Sequence, residues 1–329
     1  MKAIIPVAGE GTRLRPHTHT TPKALIYVAG KPIIGHILDA VLPLGVAEII
    51  LIIGHLGQRV IDYVKESYPS LIARYVEQKD RKGLGHAVLL AKEFFGGESA
   101  LIVYGDTIFQ GDLSDGIEPS ADGRIGVKEV EQPERFGVVR LEGDRVVELV
   151  EKPEDPISNL AIVGFNYINN TALLFDCLEE LMRRGITTRG EYQLTDAFQL
   201  MVDKGAILKP FVVKNWFDCG RPEALLRTNR HLLENLGRAG RRTGSILVPP
   251  VYVSDSVEVV NSIIGPYVSL ADGAQVVGSI VRDSIVGQNA KVDQCLLEGS
   301  IIGDNAHVKG VPARLNVGDS SEVGLGSIR

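Results

Sequence analysis

Cysteine, methionine and tryptophan are scarce in this chain, at three, three and one in 329 residues, and aromatics make up only 6% of it. Cys177, Cys219 and Cys295 are odd in number, far apart and without C-x-x-C spacing, so they read as reduced thiols of a cytosolic protein. Long apolar runs are missing too: no stretch approaches the roughly 20 residues of a membrane span. The apolar run at the N-terminus is short and is broken by Pro6 and Gly9, which excludes a signal peptide and makes a cytoplasmic location the expectation. Excess positive charge is also absent. A net charge of -6 offers no broad basic surface, so nucleic acid is not expected as a partner, and neither is a membrane.

What is present is aliphatic. Apolar content of 44% suits a Val/Ile/Leu-built α/β core and argues against disorder. Residues 2–7 read as a buried strand, 32–44 as a helix with Ile33, Ile34, Ile37, Leu38 and Val41 on one side, Glu48–Ile53 as a strand and 58–67 as a helix. A strand over 72–76, a helix over 84–95 and a strand over 100–104 follow. Unbroken apolar strands alternating with amphipathic helices predict a mostly parallel, Rossmann-like sheet covered on both faces, with ligands beyond the carboxyl ends of the strands. Shorter strands at 125–130, 138–141, 145–150 and 161–168 come next, then helices at 172–183 and 195–203. A strand at 207–213 and a helix at 222–235 close a first domain, residues 1–238. The polar stretch 236–244 reads as a linker.

The texture then changes. SIIGPYVSL, SIVGQNAKV and SIIGDNAHV begin at 262, 284 and 300, an uneven spacing. Aliphatic residues six apart (Ile264, Leu270, Val276) between polar fillers predict short strands wound as coils of a β-helix over 245–329, with a small irregular β domain as the alternative.

Cations are concentrated at the start: residues 1–32 carry Lys2, Arg13, Arg15, Lys23 and Lys31 against Glu10 alone. The loop that holds the two arginines, AGEGTRLRP, is not a Walker loop, because G-x-x-x-x-G-K-[ST] spacing is missing. It is not a dinucleotide fingerprint either, because Leu14 stands where the third glycine belongs. A lone G-x-G is also what a structural turn produces; the extension through Thr12, Arg13, Pro16, Pro22 and Lys23 is what carries information. Bare glycines let backbone N–H groups approach phosphate oxygens. Arg13 adds a planar charged fork, and Lys23, after two prolines, is placed to return to the same pocket. Such an array suits a triphosphate whose pyrophosphate half must be stabilised as it leaves.

From Gly9 to Lys23, continuing into Lys31-Pro32-Ile33-Ile34, the chain resembles the sugar-1-phosphate nucleotidyltransferases, the NDP-sugar pyrophosphorylases. Ala8 departs from the second glycine that many members carry there. The resemblance implies an α/β nucleotidyltransferase domain followed by a left-handed parallel β-helix. It also implies an Mg2+-assisted reaction of a nucleoside triphosphate with a sugar 1-phosphate. On the matched motifs, Ala8, Gly9, Gly11 and Thr12 would hold the nucleotide, Gln78 and Gly83 of QKDRKGLGHAV its base, and Arg13 and Lys23 would be catalytic. Asp106 of YGDTIF and Asp218 of WFDCG would be the metal pair. Gly137 of RFGVV, Glu151 and Lys152 of EKP, and Asn166 of VGFNY would bind the sugar phosphate. Glu191 and Asp196 carry no assigned role; Thr195 reads as a helix cap and His86 as a helix-packing residue. His17 and His19 are expected outside the site.

PVAG and GLGHAV resemble the uridylyl-transferring branch, whereas NVGDSSEV (316–323) and the β-helix resemble long-form thymidylyltransferases, so UTP and dTTP both stay open, with glucose 1-phosphate as the expected sugar phosphate. The alternatives are a non-catalytic regulatory paralogue and a bifunctional enzyme whose β-helix transfers acetyl groups. The first sits poorly with Arg13, Lys23, Asp106, Lys152 and Asp218 all being present; the second sits poorly with His307 as the sole histidine after His231. Flat stacked coils suggest self-association into a homo-oligomer.

Overall fold

The computed structural model describes residues 1–236 and 244–310 of the chain. They fall into two compact units, Met1–Thr228 and the residues from Asn229 onward.

The first unit is built on a nine-stranded sheet. Its strands are β1 (Lys2–Pro6), β4 (Glu48–Ile53), β5 (Ala73–Glu77), β6 (Ala100–Val103), β8 (Gly123–Glu129), β9 (Gly137–Glu142), β10 (Arg145–Glu151), β11 (Leu160–Ile168) and β12 (Leu208–Val212). A short hairpin, β2 (Tyr27–Val28) and β3 (Lys31–Pro32), leads into helix α1 (Ile33–Val41). The other helices are α2 (Gly57–Ser67), α3 (Leu84–Leu89), α4 (Thr171–Arg184), α5 (Leu194–Asp203) and α6 (Pro222–Glu234).

Strands β6, β1, β4 and β5 pair in parallel, as continuous apolar runs buried on both faces predict; five of the six residues of β4 are buried. Beyond β6 the sheet is mixed, because β11 runs antiparallel to β6, β8 and β9. The mostly parallel expectation therefore describes one half of the sheet. The difference has a physical source in β11, which is long and apolar and carries a register shift between Ile162 and Asn166. Phe165 lies opposite Val103, the last residue of β6, so the first half of β11 continues past the carboxyl end of β6. There it meets the β9–β10 hairpin at Ala161 and Val138, and that hairpin becomes a wall above the parallel strands.

All six expected helices are found, two of them with markedly shorter bounds. The predicted 32–44 helix ends as α1 at Val41, followed by a 3-10 turn that contains Pro43. The predicted 84–95 helix is α3, with a separate 3-10 turn at Lys92–Phe94. Helix α4 has its termini written in sequence: Asn170 caps the Leu173 N–H, and Gly185 closes the helix in the left-handed conformation. Helices α3, α4 and α5 bury Ala87, Leu174, Leu178, Phe198 and Met201 in one core with Ile4, Ile50, Ile102 and Ile162 of the sheet.

One ribbon was not anticipated as strands. β7 (Thr107–Gln110) and β13 (Asn215–Asp218) pair antiparallel, with Asp218 opposite Thr107.

The second unit is a parallel β-helix with three faces. Its inner aliphatic columns are Leu247–Ile264–Val281–Leu297, Val253–Leu270–Val286–Ile302 and Val259–Val276–Val292–Val308. Each coil is 16 or 17 residues long, as the stacking of Ile246, Ile263, Ile280 and Leu296 shows. The uneven spacing of the three fragments follows from this geometry. The fragment at 262 starts on one face and those at 284 and 300 on the next, so the first interval is a coil plus a side and the second a single coil. Serine hydroxyls satisfy the corners: the hydroxyls of Ser262, Ser279 and Ser284 accept the N–H of Ser279, Cys295 and Ser300 on the coil above. From the end of α6, Asn229 accepts a hydrogen bond from Ser269 Oγ at 2.6 Å, and Arg230 pairs with Asp283. The two units thus divide within α6. Residues 237–243 of the predicted linker and the NVGDSSEV motif lie outside the described residues.

His36 of α1 tests the packing of the first unit. Burial pushes its imidazole down to about 4, against a raising hydrogen bond to the Val28 carbonyl. A depressed histidine adds stability above its unfolded value near 6.5 and loses it as pH falls toward 4. The thermal unfolding midpoint should therefore drop between those pH values, and His36→Gln should flatten that drop. Parallel profiles for the two proteins would refute it.

Candidate active site

The carboxyl ends of β1, β5 and β6 and the β9–β10 wall enclose a cavity of about 650 Å³. Of the fourteen residues expected in the site, thirteen line it: Ala8, Gly9, Gly11, Thr12, Arg13, Lys23, Gln78, Gly83, Asp106, Gly137, Glu151, Lys152 and Asp218.

Asn166 is the exception. It is fully buried in β11 beside the Tyr104 phenol, so Tyr104 and not Asn166 faces the cavity. The expected sugar contact by Asn166 is therefore not open to a ligand in this cavity, since its side chain has no exposed surface.

The loop after β1 folds back on itself. Thr18 Oγ1 donates to the Gly11 carbonyl at 2.8 Å, and a side chain at Gly11 (φ 62°) would meet Lys23 Cβ at 3.1 Å. The excursion from Pro16 to Pro22 therefore returns Lys23 beneath the glycine turn, where its Nζ meets Asp106 Oδ2 at 2.7 Å. Asp106 and Asp218 are distant in sequence and are joined by the β7–β13 ribbon. The Cys219 N–H donates to the Asp106 carbonyl at 3.0 Å, and Asp218 Oδ1 accepts the Gly220 N–H at 2.9 Å. Burial first, and the Asp106 carboxylate second, push the Asp218 carboxyl up, with Lys23 and Arg13 opposing. Burial pushes the neighbouring Cys219 thiol up to about 12, which leaves it protonated and inert.

On the other side Glu151 lies opposite Gly137 in the β9–β10 register. Its Oε1 pairs with Lys152 Nζ at 3.0 Å, and its Oε2 accepts from Thr195 Oγ1 at 2.7 Å. This corrects the reading of Thr195 as a cap: the N-cap of α5 is Gln193, and the Thr195 hydroxyl orients Glu151 instead. Phe136 and Trp216 meet edge to face at 5.3 Å and extend this wall. Asp196 accepts from Thr188 Oγ1 at 2.8 Å, and Glu191 lines the cavity.

Gln78 and Gly83 are equally constrained. Gly83 has φ 104° and ψ 178°, a region open only to glycine, and a Cβ there would stand 2.6 Å from the Tyr192 carbonyl. Gln78 Nε2 donates to the Gly83 carbonyl at 3.1 Å and faces His86 Nδ1 at 3.0 Å. His86 is therefore more than helix packing, a role that spacing alone did not reveal.

The cations expected to act together separate on folding. Lys2 pairs with Glu98 and Glu48 at the start of β1, and Lys31 with Asp39. Glu10 takes Arg15 at 3.3 Å and also Arg81, a cation from the loop between Gln78 and Gly83 not anticipated in sequence. Arg13 lines the cavity with no hydrogen-bond or ion-pair partner for its side chain among the described residues. His17 and His19 are absent from the lining, as expected.

This geometry agrees with sequence comparison, in which the nucleotidyl transferase family matches residues 2–235. The chain belongs to the nucleotidyl transferase family. Glucose-1-phosphate thymidylyltransferase of Streptomyces antibioticus is 33% identical over 94% of this nucleotidyltransferase and 93% of its own length. The bifunctional protein GlmU of Methanocaldococcus jannaschii is 38% identical over 72% of this chain, which spans 55% of that relative. A solved UDP-glucose pyrophosphorylase complexed with UDP-glucose superposes with a TM-score of 0.61 at 26% identity, covering 71% of this chain and 99% of that one.

Gly83→Ala should cost about 1–3 kcal/mol through strain at that backbone position and weaken nucleotide binding. Thermal unfolding and UTP titration read both, and an unchanged midpoint with unchanged affinity would contradict the geometry.

Proposed function

We propose that this nucleotidyltransferase joins a nucleoside triphosphate, UTP or dTTP, to a sugar 1-phosphate, with glucose 1-phosphate as the favoured sugar, releasing an NDP-sugar and pyrophosphate. One observation carries the reading: a single cavity is lined by the Gly9–Lys23 loop, an aspartate pair and the Glu151–Lys152 pair. The names of the thymidylyltransferase relative and the UDP-glucose pyrophosphorylase structure support it.

The attacking oxygen of a sugar phosphate is already anionic at neutral pH, so no general base and no enzyme nucleophile are needed. It attacks the α-phosphorus in line while pyrophosphate leaves opposite. The protein must align two anions and compensate their charge. Arg13, unpaired among the described residues, offers its guanidinium to phosphate oxygens. Lys23 stands beside them as a point charge, and the backbone of Ala8, Gly9, Gly11 and Thr12 cradles the triphosphate. Glu151, held by Thr195, accepts from sugar hydroxyls; Lys152 pairs with the sugar's phosphate, and Gly137 meets the sugar through its backbone. Gln78 and Gly83 read the base.

The aspartates fit a divalent cation. Both are hard oxygen donors, and the Asp218 carboxyl is raised by its burial first and by the neighbouring Asp106 carboxylate second, a setting that a counter-charge would relieve. No group of three or more His, Cys, Asp or Glu forms a metal cluster among the described residues. The remaining positions therefore fall to phosphate and water, the way Mg2+ is usually held. Bound there, Mg2+ would supply positive charge to the α-phosphate.

The test is a grid of nucleoside triphosphates against sugar 1-phosphates, scored by pyrophosphate release and product mass. UTP or dTTP with glucose 1-phosphate should give product, and a grid without product ends the reading. Arg13→Ala and Asp106→Asn should each cut turnover by about tenfold or more with the unfolding midpoint preserved. Wild-type turnover in a folded variant removes that residue from the mechanism.

Self-association through the β-helix belongs to the same reading. The outward column Ile246, Ile263, Ile280 and Leu296 is aliphatic, with Ile246 60% and Leu296 68% exposed, and a second copy would cover it. Sedimentation should show an oligomer that Leu296→Lys weakens; a wild-type monomer would exclude it.

A further inference from the structure

Gln78 is held in one amide orientation. A carbonyl oxygen only accepts, so the atom 3.1 Å from the Gly83 carbonyl must be the amide nitrogen. The second amide proton then points at His86 Nδ1, 3.0 Å away, which must be the unprotonated ring nitrogen. A neutral His86 then carries its ring proton on Nε2. Gln78 thus donates to both neighbours, the Gly83 carbonyl on one side and the His86 ring on the other. With both amide protons engaged, Oε1 is the polar atom that Gln78 has left. Gln78 is only 7% exposed and lines the cavity, so this acceptor is partly shielded from water yet reachable by a ligand.

We infer that His86 is a positioning residue that presents Gln78 to the nucleotide base as an acceptor, so that the site selects bases with an N–H at that edge, uracil or thymine, over cytosine. The inference rests on the nucleotide reading proposed above and deepens it. The imide N3–H of uracil or thymine donates to Oε1. Cytosine has a bare N3 there, which would set two acceptors face to face. Turning the amide to suit cytosine would aim Oε1 at the Gly83 carbonyl and at an unprotonated Nδ1, breaking two hydrogen bonds to make one. A site built around a fixed polar partner discriminates more strongly than an apolar pocket does. The same geometry does not distinguish uracil from thymine, whose imide edges are alike.

The test measures binding and kcat/KM for UTP and CTP on the full-length chain. The wild-type protein should prefer UTP by about a hundredfold or more. His86→Ala leaves Gly83 as the one anchor of the amide and should shrink the UTP:CTP ratio by about tenfold, while the KM for the sugar 1-phosphate stays within about twofold. His86→Asn, whose side-chain oxygen can accept at similar reach, should restore most of the ratio. Equal weakening of UTP and CTP, an unchanged ratio, or an Asn variant that behaves like Ala would each overturn the positioning role. The two readings fail separately. If the wild-type protein binds UTP over CTP but makes no NDP-sugar, the proposed reaction falls and the His86 inference is still judged by binding. If it binds UTP and CTP equally, the inference falls whatever the turnover.

Discussion

Two carboxylates held side by side are the constraint around which this catalytic unit is arranged. Asp106 follows the parallel strand β6, and Asp218 comes from a segment near the end of the unit, yet the β7–β13 ribbon sets Asp218 opposite Thr107, and the next residue, Cys219, donates its N–H to the Asp106 carbonyl. Burial first, and the like charge of Asp106 second, raise the carboxyl of Asp218. Lys23 offsets the repulsion by pairing with Asp106. To reach that point the chain leaves β1, turns at Gly11 and returns, so the proline-bounded loop brings Lys23 to Asp106.

The same logic accounts for an acidic protein handling anionic substrates. Lys23, Lys152, Arg15 and Arg81 each have a carboxylate partner within the fold, and Arg13 has none among the described residues. The cavity is therefore near neutral balance before any ligand arrives, with cations held in place by partners that they can share. On the proposed reading, two highly charged anions enter a site whose positive groups are already oriented, which lowers the reorganisation needed when charge develops at the phosphorus. Glu10 has a further effect, since by holding both Arg15 and Arg81 it ties the glycine loop to the loop between Gln78 and Gly83.

Much of the site was legible because its motifs are contiguous. Gly9 to Lys23 carries its own turn chemistry, and Glu151–Lys152 ends a strand readable from its apolar pattern. The misses share a cause: they depend on partners far away in sequence. Thr195 looks like a cap because threonine before a helical run usually is one, but its hydroxyl meets Glu151 from another element. Asn166 falls in a plausible motif, yet it is fully buried in β11 while Tyr104 lines the cavity. The mixed half of the sheet was hidden because an antiparallel strand buried on both faces reads just like a parallel one. In the β-helix the hexad pattern was visible, whereas its uneven repeat became intelligible only once coils of 16 or 17 residues were laid over three faces.

Local properties were determined by sequence alone: strand and helix identity from apolar period, the glycine-rich turn, the succession of two textures along the chain, and the residue types suited to phosphate. These follow from short-range backbone and side-chain preferences. Which charges neutralise one another was decided only by tertiary structure. Lys2 and Lys31, counted with the loop in sequence, pair elsewhere, and Asp218 and Arg81 join it from distant strands and loops. Electrostatic pairing depends on distance in space, and over most of this chain that distance is set by how β11 and the β7–β13 ribbon fold across the ends of the parallel strands.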